Sequence, residues 1–324
     1  MVVEQTVPSS MVRFFGSTPE GVDPRGFSTR ITGSFVPDSD GPHVLGIVST
    51  GPFIIDVDGS TIIDDTHMEL PRSEEFFGYG SIEATATIEC IAGVPIVLNL
   101  RWATSEMNGF AALRVGFRSA EPADLMDRAV AAAAAADVAV VMVGTNDEWE
   151  TEGFDRTTMD LPGRQDELVR RIVAVNPRTA VIVNAGSPVT MDWADAADDN
   201  SARAVLTSFF AGQEQAESLV EVLLGDADPG GRLPTTIPVR LADHPAYLHH
   251  RPDHDSAGNG TQVYGEGLFI GYRYYDARNI APRLAFGHGL SYGSAMWGAA
   301  VITSESADSI TVEVPVAGTG NRAA

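Results

Sequence analysis

Two hydrophobic rhythms divide the chain, and the change falls near Ala120. Before it, short runs at residues 44–48, 53–57, 82–88 and 94–100 are rich in Val, Ile and Thr, and 111–117 closes the series. Gly41-Pro42, Gly51-Pro52, Gly93 and Pro95 punctuate them. Short strands at this spacing predict a sandwich or barrel. After Ala120, strong helix formers at 125–136 follow Pro122, a residue suited to the first turn of a helix. An unbroken apolar run at 138–143 comes next, then an amphipathic stretch at 164–175 ended by Asn176-Pro177. A second apolar run at 179–184 stops at Ala185-Gly186-Ser187-Pro188, and a third spans 204–209. Residues 213–224 read as a helix stopped by Gly225. Unbroken apolar strands separated by helices predict a parallel sheet with both faces covered.

A third zone starts near Pro229. It is loop-rich as far as Gly267, then aromatic at Tyr272, Tyr274, Tyr275, Phe286 and Tyr292. From Trp297 a β pattern returns at 298–303 and 310–316. Two or three strands are too few for a stable domain, so the chain is expected to end early in a further β-domain. The expected fold class is α/β plus all-β. A β-sandwich occupies 1–120, a doubly wound parallel α/β sandwich 121–292, and the start of another β-domain 293–324.

Composition narrows the function. The 324 residues suffice for about two domains, with 44% hydrophobic and 20% charged content in the globular range. The net charge is -23, and all 21 basic residues are Arg. Such a surface repels nucleic acid and anionic membranes, so neither is an expected partner. Cys90, the single cysteine, precludes an intrachain disulfide and sits in an apolar, strand-like context that suits an inert buried thiol. The first residues lack a basic segment and a long apolar stretch, so no signal peptide is expected. No run approaches the roughly 18 apolar residues of a membrane span. Cytoplasm is the default compartment, although a secreted protein without disulfides is equally compatible.

Cofactor chemistry finds little support. Gly144 lacks the Gly-x-Gly-x-x-Gly spacing of a dinucleotide site, and there is no phosphate-binding Gly-Lys-Ser/Thr loop. His244, His249, His250 and His254 share one loop, but Pro245 and Pro252 interrupt any helical ligand pair. Neither a cofactor nor a metal is expected.

The densest chemistry is the segment N-D-E-W-E-T-E-G-F-D-R at residues 146–156, directly after the apolar run that ends at Gly144. Ligands of open α/β sheets bind just outside the carboxyl ends of strands. Asp147, Glu148, Glu150 and Glu152 precede Gly153, and Asp155 follows. Crowded carboxylates raise one another's pKa, so one of them can serve as a general acid. The competing reading is a solvated acidic turn. Trp149 reads equally as a sugar platform or as a core plug, and Phe154 as core. Asp155 and Arg156 are candidates for substrate contact, but the favoured role of Arg156 is to pair with a loop carboxylate and fix its geometry.

Five ordered segments carry a family resemblance. They are V-V-M-V-G-T-N-D-E-W-E-T-E-G-F-D-R-T-T-M-D-L-P-G-R-Q at 140–165, N-P-R-T-A-V-I-V-N-A-G-S-P-V-T-M-D-W at 176–193 and G-Q-E-Q-A-E-S-L-V-E-V-L-L-G-D-A-D-P-G-G-R-L-P-T-T-I-P at 212–238. Y-G-E-G-L-F-I-G-Y-R-Y-Y-D at 264–276 and L-A-F-G-H-G-L-S-Y at 284–292 complete the set. Together they resemble the carboxyl-terminal part of a family three glycoside hydrolase of the β-glucosidase type. F-I-I-D-V-D-G-S-T-I-I-D at 53–64 and I-A-G-V-P-I-V-L-N-L at 91–100 resemble the protective-antigen-type sandwich inserted in some members. An Asp-Gly turn between apolar strands is also a common hairpin device.

The resemblance implies a retaining, exo-acting β-glycosidase acting on a β-linked oligosaccharide or aryl glycoside. Such an enzyme needs two carboxyls about 5–5.5 Å apart, a nucleophile and an acid/base. The family carries its nucleophilic Asp on a preceding barrel domain, and residues 1–120 show no eight-fold βα pattern. A barrel partner is therefore implied, and the chain alone is expected to be inactive. The acid/base role falls to Glu152, directly before the Gly-x-Asp-Arg tail, with Glu150 the runner-up. The terminal β-pattern becomes the start of a fibronectin-like domain. Ser187 and Pro188 are expected to shape the same sheet edge, Glu214 to cap a helix and Glu266 to stabilise a returning loop. The alternative function is a non-catalytic carbohydrate-binding module.

Overall fold

The structure, a computed structural model, describes residues 3–7, 9–24, 26–73, 75–104, 110–152, 155–195, 197–198, 200–250, 253–254 and 260–318, the side chains of Asp253 and His254 excepted. Gly153, Phe154, Pro252 and the His254 imidazole lie outside what is described. The chain divides into two units, Met1–Leu125 with Thr151–Asp155, and Met126–Glu150 with Arg156–Ala324.

Period-two burial builds the first unit. Its strands are β1 (Met11–Phe15), β2 (Ser28–Phe35), β3 (Gly41–Ser49), β4 (Phe53–Val57), β5 (Ser60–Asp64), β6 (Ala84–Cys90), β7 (Ile96–Ala103) and β8 (Phe110–Ser119). They form two four-stranded antiparallel sheets, ordered β1-β8-β3-β6 and β2-β7-β4-β5. Along β4, Phe53, Ile55 and Val57 are buried while Ile54 and Asp56 between them are not. Leu45, Ile47, Leu100, Trp102 and Leu113 complete one apolar core, with Cys90 buried among them. The Asp-Gly hairpin joins β4 to β5: Asp58 and Gly59 have φ of 48° and 83°, the double positive φ that a tight two-residue turn demands.

The second unit is built around a parallel sheet. After α1 (Leu125–Ala135) come β9 (Ala139–Gly144), α2 (Gln165–Val175), β10 (Thr179–Asn184), β11 (Ala204–Thr207), α3 (Gln215–Leu224) and α4 (Tyr272–Arg278). Both β10–β9 and β10–β11 pair in parallel. Val169, Ile172 and Val173 of α2 pack with Val141, Val143, Val181 and Val183 in a second core. Asn176 joins neighbouring elements. Its backbone N–H caps α2 on Ile172 O, and its side-chain amide donates to the carbonyls of Ala133 and Ala136 at 2.9 and 3.0 Å, at the end of α1 where carbonyls run short of helical partners. Gly225, at φ 79°, ends α3 in the left-handed conformation.

The described parallel strands are ordered β11-β10-β9. One expectation needs correction: the sheet is not covered on both faces along β9. Ala139, Val141 and Val143 are buried, but Val140 and Met142 are 55% and 59% exposed. An apolar run of six looks buried on both faces, whereas this edge strand turns only alternate residues into the core. Near the end of the described chain, Ala295–Trp297 pairs with Val316–Gly318 and Val301–Glu305 with Ile310–Glu313, all antiparallel and all exposed.

Trp193, 3% exposed, donates its indole N–H to Asp166 Oδ1 at 2.7 Å. Burial raises the Asp166 pKa above 3.8, with the Trp193 bond and the charge of Arg170 opposing it. The folded state then holds its proton to higher pH than the unfolded chain. Asp166's contribution to stability is therefore greatest below about pH 3.8 and falls as pH rises through the raised value. Asp166→Asn, which keeps an acceptor for Trp193, is expected to raise the unfolding midpoint at pH 7 and to leave it nearly unchanged at pH 3, measured by urea titration at both pH values.

Candidate active site

The carboxyl ends of β9 and β10 leave backbone groups that side chains must complete. Gln165, the first residue of α2, does so for β9. Its side-chain carbonyl accepts from Gly144 N at 2.7 Å, and its amide donates to Gly144 O at 2.9 Å. Gln215, the first residue of α3, donates to Asn184 Oδ1 at 2.6 Å and to Ser208 Oγ at 2.9 Å. Gly144 itself cannot carry a Cβ, because that atom would collide with the backbone carbonyl of Asn184. The strand ends are thus pinned both to each other and to the helices that follow.

The acidic segment starts as a tight turn. Asn146 Oδ1 accepts from the N–H groups of Glu148 and Trp149, both at 3.2 Å, and Asn146 O accepts from Glu150 N at 2.9 Å. This turn leaves Asp147 and Glu148 exposed and Trp149 and Glu150 half-buried. Glu150 then reaches across to the loop after β10. Oε1 accepts from the Thr145 hydroxyl and from Gly186 N at 2.9 Å, and Oε2 accepts from the Ser187 hydroxyl at 3.0 Å. A Cβ on Gly186 would lie 2.7 Å from Glu150 Oε2 and 2.8 Å from the Phe210 ring, so only glycine lets this carboxylate approach so closely.

Glu152 and Asp155 are both exposed, and Thr151–Asp155 groups with the first unit. Arg156 rejoins the second unit half-buried, donating from Nη2 to Pro188 O at 2.9 Å. The expected carboxylate pairing of Arg156 is therefore replaced by a backbone carbonyl, because the guanidinium lies where the post-β10 loop exposes an unpaired acceptor. The second amino group of Arg156, Nη1, is buried without a partner, and so is the indole N–H of Trp149. Ser187 and Pro188 do belong to the sheet edge. Glu214 occupies the position before α3 but makes no side-chain cap. His244 accepts a hydrogen bond at Nδ1 from Ala246 N, and the His249 ring lies against Gly265.

Thr145, Gly186, Phe210, Gln165 and Gln215 were not singled out by sequence pattern. The signal that could have found them is positional: each lies within three residues of a strand end or opens the helix that follows.

A second cluster lies in the first unit. Phe15, Phe77 and Tyr79 place their rings 4.7, 5.6 and 6.2 Å from that of Phe110. Phe15, Phe77 and Tyr79 are 59%, 42% and 50% exposed. Phe76 and Phe77 both hold positive φ, 52° and 61°, a conformation rare for bulky residues.

Glu150→Ala removes the acceptor of three donors and is expected to cost about 1–3 kcal/mol, with Glu150→Gln costing less. Gly186→Ala, which forces both the carboxylate and the Phe210 ring to move, is expected to cost a similar amount, about 1–3 kcal/mol. Urea denaturation followed by tryptophan fluorescence reads all three, and an unchanged midpoint for Glu150→Ala contradicts the bridging role.

Comparison with known proteins places this arrangement. Residues 31–272 match the model of the glycosyl hydrolase family 3 C-terminal domain. The chain is 37% identical over 282 residues to a probable β-glucosidase I of Aspergillus terreus, covering 84% of this chain and 32% of that protein. It is 35% identical over 317 residues to a β-glucosidase of Rhizobium radiobacter, covering 96% of this chain and 38% of that protein. The crystal structure of the Kluyveromyces marxianus β-glucosidase in complex with glucose superposes with a TM-score of 0.87 at 32% identity, over 98% of this chain and 37% of that one. The chain thus spans about a third of the length of the relatives it matches. With the family model matched over most of its residues, the chain belongs to glycosyl hydrolase family 3 and carries that family's C-terminal domain.

Proposed function

We propose that this chain supplies the general acid/base of a retaining, exo-acting β-glucosidase-type enzyme, and that Glu152 is that residue. The observation that carries the reading is the engagement of Glu150. Its two oxygens already accept from Thr145, Gly186 and Ser187, so it bridges two strand ends. Glu152, two residues on and exposed, directly precedes the Gly-x-Asp-Arg tail of the family resemblance and is placed to exchange a proton with a leaving group and then with water. A half-buried Trp149 offers apolar surface to a sugar ring, and Arg156 follows it in the same segment as a candidate for substrate contact. Asp155 stands beside them in the sequence as a further candidate for substrate contact.

The nucleophile comes in this reading from a barrel domain, as the resemblance implies, and the substrate is a β-linked oligosaccharide or aryl glycoside. Residues 1–120 correspond to a protective-antigen-type sandwich, 121–292 to the α/β domain, and 293–324 to the start of a fibronectin-like domain. A second reading, a carbohydrate-binding module, is favoured by the exposed Phe15, Phe77 and Tyr79 cluster, since aromatic faces stack on sugar C–H surfaces.

The purified chain alone is expected not to hydrolyse an aryl β-glucoside, and clear turnover refutes the divided site. In a polypeptide joining this chain to a family barrel, Glu152→Gln is expected to lower kcat/KM about 10²–10⁴-fold for a poor leaving group and much less for a good one. An unchanged rate moves the assignment to Glu150. Calorimetric titration of the chain with gluco-oligosaccharides tests the module reading, and an absence of heat counts against it.

A further inference from the structure

Residues 263–272 of the second unit place an apolar ribbon in water. Tyr264 and Leu268 are both 84% exposed, and Val263, Phe269, Ile270 and Tyr272 are exposed as well. The backbone beneath them is held by turns. Gly267 N donates to Tyr264 O at 3.3 Å and Phe269 N to Glu266 O at 2.9 Å. Gly267 and Gly271 take φ of 57° and 54°, and a Cβ on Gly265 would collide with the His249 ring. The apolar side chains are therefore presented outward by a fixed path rather than by a loose tail. The patch extends past the ribbon, because the Tyr272 ring stacks on the exposed Phe286 ring with centroids 5.3 Å apart. A hollow of about 300 Å³ beside it is lined by Leu248, His249, Phe269, Tyr274 and Arg278, among others. Monomeric proteins rarely leave contiguous apolar patches larger than a few hundred Å² in water, and larger ones mark interaction surfaces.

Charge and chain length identify the occupant. Each chain carries a net charge of -23, which opposes pairing with a second copy or with an anionic membrane. The ribbon's own border has the opposite sign. α4 holds two Arg and one carboxylate, Asp276. The exposed Arg273 and Arg278 guanidinium groups lie 5.1 and 5.7 Å from the ring centres of Tyr272 and Tyr274. A complementary partner has an apolar centre and carboxylates at its rim. The chain spans only about a third of the length of its relatives, so the larger part of such a polypeptide lies outside it. A domain on the same polypeptide docks without the full cost in translational freedom that a separate partner meets, so a patch of this size suffices.

We propose that the ribbon at 263–272, together with Phe286 and the adjoining hollow, is the docking surface for the barrel domain. The barrel seats an apolar side chain in the hollow and sets carboxylates against Arg273 and Arg278. This rests on the reading that the chain works with a barrel, and it names where on the second unit that barrel sits.

The test is amide hydrogen exchange, followed by mass spectrometry, on the 324-residue chain and on the same chain joined at its amino terminus to a family barrel and ending at Ala324. Peptides over 263–272 are expected to exchange at least about tenfold more slowly in the joined polypeptide. Leu268→Asp changes a side chain already in water. It is expected to leave the urea midpoint of the chain alone unchanged and to abolish most of the protection in the joined polypeptide. Unchanged exchange at 263–272 overturns the proposal, as does protection confined to β9, where Val140 and Met142 are also exposed. Protection that grows with concentration in the chain alone overturns it too, by assigning the ribbon to a second copy. Turnover of an aryl β-glucoside by the joined polypeptide separates the two readings. Turnover with an unprotected ribbon overturns the docking surface and leaves the divided site standing. A protected ribbon without turnover supports the docking surface and counts against the acid/base assignment.

Discussion

One carboxylate sets the geometry of the sheet edge. Glu150 accepts from the Thr145 hydroxyl, the Gly186 amide and the Ser187 hydroxyl, and so joins the loop after β9 to the loop after β10. Parallel strands leave their last carbonyls and amides pointing toward solvent, and loops there wander unless side chains fix them. A charged acceptor is the strongest common device for the task, because hydrogen bonds to an ionised partner are about twice as strong as neutral ones. The close approach depends on Gly186, where a methyl group would meet both the carboxylate and the Phe210 ring. Gln165 and Gln215 repeat the principle, each pairing the first side chain of a helix with the end of a preceding strand.

This bridge divides the work among the acidic residues. A carboxylate held by three donors is fixed in position and has little capacity left for a substrate. An acid/base must exchange a proton twice per turnover and needs access to leaving group and water. Glu150 fits the first description, and the exposed Glu152 is the residue we propose for the second. Asn146 makes the separation possible, since its side chain and carbonyl curl residues 146–150 into a turn. That turn brings Glu150 back onto the sheet and sends the chain outward.

Much of the architecture was legible from periodicity. Phe53, Ile55 and Val57 announce β4, and the Asp58-Gly59 pair announces its hairpin, because alternation and positive φ are local requirements. β1 and β2 were not legible. Ser-Thr-Arg-Ile-Thr-Gly-Ser-Phe over Ser28–Phe35 has few apolar residues, and it is a strand because β7 pairs with it along its whole length. The run at 138–143 misled for the opposite reason. Val140 and Met142 are apolar but face outward from an edge strand, and apolarity alone does not report which face a sheet leaves open. At the site, charge density drew attention to residues 146–156, whereas the donors that discriminate Glu150 from Glu152 come from Gly186 and Ser187, far along the chain. Such pairings are set by tertiary structure. Arg156 shows the same limit: its charge predicted a carboxylate partner, and a backbone carbonyl took that place.

Chemical rescue by azide tests the division between bridge and acid/base most directly. In the polypeptide joined to its barrel, Glu152→Ala and Glu150→Ala are assayed on an aryl β-glucoside with a good leaving group, with and without sodium azide. Azide replaces the base-assisted water and needs no proton transfer, so it restores turnover where only the acid/base is lost. The account predicts rescue of Glu152→Ala with formation of the β-glycosyl azide, and none for Glu150→Ala. Rescue of Glu150→Ala with none for Glu152→Ala contradicts it.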